Sequence, residues 1–232
     1  MHLAVLMANT DESAFAQRHP KDGEKWRTLL APVLPGLEIS VFSVKDGVFP
    51  AGNVGDFGGY IVTGSPASVH DGLDWQARLS DLIREIEAAR VKLFGACYGH
   101  QHIALALGGT VGPNPGGWTF GVVECDVYNP APWMEAGPIW LNAAHEEQVS
   151  NPPENAQILA RGPGCAVGGL AIGDHVFTTQ YHPEIDPDFM AALIDELDGV
   201  KPPEVIKAAR ESLTIAPENA RFARWIARFF AD

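Results

Sequence analysis

Apolar and polar positions follow two regimes along this chain, and the change comes near Thr119. Before it, short apolar runs at 3–8, 37–44, 59–63 and 91–96 alternate with helix-like stretches. That alternation predicts a parallel sheet with helices packed on it. The clearest predicted helix covers 76–89, where Leu79, Leu82, Ile83 and Ile86 recur at the spacing of one face and Arg78, Asp81, Glu85 and Glu87 occupy the rest. A second covers about 24–34, closed by Pro35-Gly36. After Thr119 the pattern becomes strand-like pieces between turn residues, at 120–127, 139–142, 157–160, 167–172 and 176–180. Helices are missing there, so antiparallel hairpins and a final central strand are expected. Helices return near 188–196, 204–213 and 218–230. In the last, Phe222, Ile226 and Phe229 form an apolar stripe expected to pack on the body of the same domain.

Composition narrows this picture. A chain of 232 residues suits one large α/β domain, and neither Pro152-Pro153 nor Pro202-Pro203 marks a boundary, so a single domain over 1–232 is expected. No apolar run approaches the roughly 18 to 20 residues of a membrane-spanning helix. The first residues run straight into His2-Leu3-Ala4-Val5-Leu6-Met7 without a basic start or a cleavage site, so a soluble, cytoplasmic protein is expected. A formal charge of −13 argues against nucleic-acid and anionic-membrane partners. Three well-separated cysteines give neither a disulfide framework nor a C-x-x-C metal signature, and the histidines form no spaced set with carboxylates, so no metal and no cofactor are expected.

The chemistry concentrates in three motifs. Gly95-Ala96-Cys97-Tyr98-Gly99-His100-Gln101 lies between the apolar run 91–94 and the apolar stretch 103–107, which is read as a helix that stops at Gly108-Gly109. Flanking glycines permit a tight strand-to-helix turn that exposes a nucleophile, and the helix amino terminus favours a thiolate. Cys125, in an alternating strand, and Cys165, in a turn, lack such a setting and are expected to be structural. In Tyr181-His182-Pro183-Glu184, extended geometry lets His182 and Glu184 share a side, so that Glu184 fixes the tautomer with which His182 takes a proton from Cys97. Thr63-Gly64-Ser65-Pro66 follows a strand, and its turn leaves N–H groups free to meet a developing oxyanion together with the N–H of Tyr98. His100 is expected to point away from the nucleophile, and the polar segment 10–23 to be a solvent-exposed loop near the site.

Together, and in this order, Thr63-Gly64-Ser65-Pro66, Gly95-x-Cys97-x-Gly99-x-Gln101 and His182-Pro183-Glu184 resemble the class I (triad) glutamine amidotransferases, most closely stand-alone proteins similar to the amidotransferase domain of GMP synthase. The resemblance extends through Ser65-Pro66-Ala67-Ser68-Val69-His70-Asp71 and Trp75. It implies a flavodoxin-like three-layer sandwich, a mainly parallel central sheet flanked by helices with a small antiparallel strand region. It also implies that Cys97, His182 and Glu184 are catalytic, that Gly64 and Tyr98 supply the oxyanion hole, and that Gln101 holds the main-chain end of glutamine. Ala143-Ala144-His145-Glu146-Glu147-Gln148-Val149 resembles a loop that contacts the substrate amino acid, which adds His145 and Glu146. There it departs from the family, which often has glycine and aspartate where Glu146 and Glu147 stand.

Three readings follow. A glutaminase would hand ammonia to an acceptor on a separate synthetase subunit, since the chain has no Walker A motif. A γ-glutamyl hydrolase would use the same thioester with water as acceptor, pocket shape deciding the leaving group. A regulatory module would keep the fold without turnover, although Cys97, His182 and Glu184 are all retained.

Overall fold

The computed structural model describes residues 1–231. The first half runs β1 (His2–Met7), α1 (Ala14–Gln17), α2 (Asp22–Leu30), β2 (Glu38–Ser43), β3 (Gly59–Val62), α3 (Asp74–Ala88), β4 (Leu93–Ala96) and α4 (Tyr98–Ala106). Seven strands follow without a helix: β5 (Thr110–Pro113), β6 (Thr119–Val127), β7 (Gly137–His145), β8 (Glu147–Asn151), β9 (Gln157–Gly162), β10 (Cys165–Ile172) and β11 (Val176–Thr179). The chain then forms α5 (Pro187–Glu196), α6 (Pro203–Ser212) and α7 (Asn219–Ala231).

Nine strands make one sheet in the order β2-β1-β3-β4-β11-β10-β9-β6-β7. The five strands from β2 to β11 are mutually parallel, and the sheet continues antiparallel from β10 to β7. A second, two-stranded antiparallel sheet joins β5 to β8. The expected α/β architecture, with a mainly parallel centre and an antiparallel region, is therefore present. Register matters most at the centre: Val62 lies beside Gly95 and Ala96 beside Thr179. The chain thus leaves β3, β4 and β11 on the same edge of the sheet, the edge where open α/β folds place their ligands.

Both faces of the central strands are covered, which explains why they read as unbroken apolar runs. Leu3, Val5, Ile61, Phe94 and Phe177 face a core that contains Trp26 of α2 and Phe222 and Phe229 of α7. Their alternates Ala4, Leu6, Tyr60, Val62, Leu93 and Val176 face Leu79, Ile83 and Ile86 of α3 and Ile103 of α4. The stripe of α7 packs inward as expected, with Phe222 stacked on Phe177 at 5.6 Å between ring centroids. Each such aromatic contributes about 1.5–3 kcal/mol by burial. A third cluster joins Phe120 of β6 to Met190 and Ile194 of α5 and Ile206 of α6.

Three expectations need correction. The helix expected at 24–34 starts at Asp22, where the Glu24 side chain accepts from the Lys21 N–H at 2.9 Å, and it stops at Leu30. Segment 10–23 is only partly a loop: Ser13 caps α1 by accepting from the Ala16 N–H at 3.1 Å, and Phe15 is buried. Residues 143–149 are strand rather than loop except at Glu146, because β8 pairs away from β7, with β5.

Candidate active site

Cys97 sits where β4 gives way to α4, with φ 49° and ψ −106°. A residue with a Cβ adopts such a backbone at a cost of roughly 1–3 kcal/mol, so the surroundings must impose it. They do so through close packing. A Cβ at position 99 would stand 2.2 Å from the Val62 carbonyl oxygen, and one at position 95 would stand 2.5 Å from Ile103 Cδ1. Only glycine lets α4 approach β3 and β4 this closely. The Cys97 N–H donates to Thr179 O at 2.9 Å, and its carbonyl accepts from the Gln101 N–H at 3.0 Å, opening the helix. The thiol, 5% exposed, therefore stands at the positive end of α4.

The β11 exit delivers the base. His182 forms an isolated bridge with Asn142 of β7, its N–H donating to Asn142 O at 2.8 Å. Asn142 Nδ2 in turn donates to Ile185 O at 2.7 Å, which pins the turn after Pro183. The ring Nδ1–H donates to Glu184 Oε1 at 2.7 Å, leaving Nε2 for Cys97. Burial disfavours the imidazolium, but the charges and hydrogen bonds of Cys97 and Glu184 outweigh it and hold His182 well above the usual histidine range.

Gly64 closes the third side. A Cβ there would stand 2.8 Å from His182 Cε1 and 3.8 Å from Cys97 Cβ. Thr63 fixes the turn, its hydroxyl accepting from the Ala8 N–H and donating to Gly64 O, both at 3.0 Å. The Gly64 N–H has no acceptor among the described residues. Tyr98 occupies the first position of α4, where a helix leaves its N–H groups free of intrahelical partners. Its side chain points elsewhere, with the hydroxyl bonded to Gln76 and His102.

Two cavities meet at Cys97. One, about 400 Å³, is bounded by Ser65 to Ser68, Gln101 and His145 to Glu147. Gln101 Nε2 donates to Glu147 O at 2.7 Å, His145 is buried with its Nε2 unpartnered, and Glu146 is exposed at the rim. Burial pushes His145 down to about 4, so it is neutral near pH 7. The other cavity, about 240 Å³, contains His182 and Glu184 instead, with Phe15, Phe189 and Leu193 on its walls. Ser65, Pro66, Cys97, Trp118 and Ala144 belong to both.

All eight residues singled out in the sequence thus border or underlie one site. His100 stands apart as expected, buried and bonded to Thr178 and Val167 O. Cys125 and Cys165 are buried beside Tyr181, and burial raises both thiols, Cys165 to about 11. Asn9, Lys25, Trp118 and Lys201 border the second cavity and were not anticipated, whereas Asp22, which borders it too, belongs to the segment 10–23 expected near the site. One signal for Asn9 was available, since the exit of a first parallel strand opens on the same edge as the nucleophile. No group of three His, Cys, Asp or Glu suited to a metal occurs, and no helix is long and apolar enough to cross a membrane, among the described residues.

Comparison with known proteins shows the family and the fold. A family profile described as glutamine amidotransferase class-I matches residues 36–194. Gamma-glutamyl peptidase 3 of Arabidopsis thaliana is 27% identical over 198 residues, 82% of this chain and 74% of that protein. A glutamine-hydrolyzing GMP synthase of Aeropyrum pernix is 33% identical over 131 residues, which are 55% of this chain but 24% of that protein. In fold, a glutamine amidotransferase from Thermotoga maritima superposes with a TM-score of 0.77 at 14% identity, covering 99% of this chain and 98% of the other.

Proposed function

We propose, from the premise that this chain belongs to the class-I glutamine amidotransferases, that it cleaves a γ-glutamyl amide through a thioester on Cys97, glutamine being the simplest substrate. The observation that carries this is the close approach at Gly64, where a Cβ would stand 2.8 Å from His182 Cε1 and 3.8 Å from Cys97 Cβ. Three motifs distant in sequence therefore meet where the cavity beside Cys97 opens.

In this mechanism the Cys97 thiolate attacks the side-chain carbonyl carbon, and the N–H groups of Gly64 and Tyr98 stabilise the oxyanion. His182, holding the thiol proton and oriented by Glu184, passes it to the departing nitrogen. Ammonia leaves and a γ-glutamyl thioester remains. Neutral His182 then takes a proton from water, hydroxide adds to the thioester carbon, and glutamate departs as Cys97 recovers. Gln101, His145 and Glu146 border the cavity that would receive the amino-acid end. As a glutaminase, the chain would supply ammonia to a separate synthetase subunit.

A second reading, hydrolysis of γ-glutamyl peptides, has its own support. The cavity on the His182 side is far larger than ammonia requires, and gamma-glutamyl peptidases are among the relatives. A direct test measures ammonia from glutamine and amine from γ-glutamyl peptides, with the wild type and Cys97→Ala. The substitution is expected to lower release by about 10³-fold or more while the circular dichroism spectrum is retained. Release that survives it would sink the mechanism.

A further inference from the structure

We infer that the cavity on the His182 side of Cys97 is a leaving-group subsite built for an amine with an apolar body and a carboxylate, as in the second residue of a γ-glutamyl dipeptide with an apolar side chain. This rests on the thioester mechanism proposed above and adds which bond partner that mechanism releases.

The direction comes from proton transfer. The nitrogen that departs must receive its proton from His182, so the leaving group lies on the side of Cys97 that His182 borders. That side is the cavity of about 240 Å³, whereas Gln101 and His145 border only the other one. A water-sized occupant needs only about 10–15 Å³ of such space. Ammonia would leave most of it unfilled.

The walls specify what fills it. Phe15 of α1, the turn residue Ile185, Phe189 and Leu193 of α5, and Leu197 present an apolar surface. Lys201 also borders this cavity, with its Nζ 3.6 Å over the Trp118 ring, and it has no carboxylate partner among the described residues. An ammonium held on an aromatic face beside an apolar wall is positioned to receive an anion. The other lysine that borders this cavity is already paired: Lys25 lies 3.6 Å over the Phe189 ring and 3.6 Å from Asp22. Trp118, shared by both cavities, would lie across the scissile amide.

The test compares kcat/KM of the full chain on glutamine, γ-Glu-Gly, γ-Glu-Phe, γ-Glu-Lys and γ-glutamyl-phenethylamide, the last being γ-Glu-Phe without its carboxylate. We expect γ-Glu-Phe to exceed glutamine and γ-Glu-Gly by about tenfold or more, the scale of burying one aromatic side chain. The preference for γ-Glu-Phe over the phenethylamide should shrink about fivefold or more in Lys201→Met and in Lys201→Gln. Equal rates on glutamine, γ-Glu-Gly and γ-Glu-Phe, a preference for γ-Glu-Lys, or an unchanged carboxylate preference in both variants would overturn the subsite and leave the thioester mechanism standing. Folded protein that cleaves none of the five would overturn both.

Discussion

The backbone of Cys97 is left-handed without being glycine, and its neighbours keep it there: Thr179 O holds its N–H, and α4 begins on its carbonyl. Position 64 is the most economical place to disturb this arrangement. In Gly64→Ala the new methyl would meet His182 Cε1 at 2.8 Å, and the imidazole would have to turn away from Cys97 and Glu184. We expect kcat to fall by about 10²-fold or more with a small change in KM, a loss comparable to removing an oxyanion donor. A variant with unchanged kcat would show that Gly64 does not set the geometry of the site. At this scale the sequence was informative wherever chemistry and backbone strain coincide, as at Cys97 between its glycines and at His182-Pro183-Glu184. It was silent on Trp118 and Lys201, since a single aromatic or lysine in a loop carries no period and no motif. Only the folded chain brings them to the same cavity.

Among the elements, the junction of β4 and α4 bears the tightest packing. Gly99→Ala would drive a methyl to 2.2 Å from the Val62 carbonyl oxygen, a contact with backbone that no side-chain movement relieves. We expect it to destabilise the fold by about 3 kcal/mol or more, read as a lower midpoint in urea unfolding, with activity lost in parallel. An unchanged midpoint would mean that α4 is free to shift. The helix periods were legible to within a few residues, α3 at Asp74–Ala88 against an expected 76–89. Short elements were not. Helix α1 depends on Ser13 as a cap and on burial of Phe15, and β5 and β8 exist because they pair with each other across about forty residues. No local pattern encodes such a pairing.

Over the whole molecule, the sheet carries β3, β4 and β11 side by side so that Gly64, Cys97 and His182 emerge together. The parallel half of that order follows from alternating apolar runs and helices. The antiparallel half does not, because β6 sits between β9 and β7, and the strands preceding it in sequence lie elsewhere. The fold also tolerates one buried acid beside the site. Burial raises the Asp22 carboxyl above its ordinary value of 3.8, so the folded state holds the proton more tightly than the unfolded chain. The corresponding stability is present in full below that value and is lost as pH rises through the folded pKa. Asp22→Asn removes the loss. Its melting temperature relative to the wild type is therefore expected to rise as pH increases above about 4, as followed by thermal unfolding across a pH series. A difference that stays flat would show that Asp22 does not carry this burden.

The central claim is a covalent one, that the γ-glutamyl group passes through Cys97. Acid quenching during turnover, followed by peptide mass mapping, tests it most directly. The account predicts a γ-glutamyl adduct on the peptide that contains Cys97, present with glutamine or a γ-glutamyl peptide and removed by hydroxylamine. Continued product release with Cys97 unmodified, or an adduct carried by Cys125 or Cys165, would contradict it.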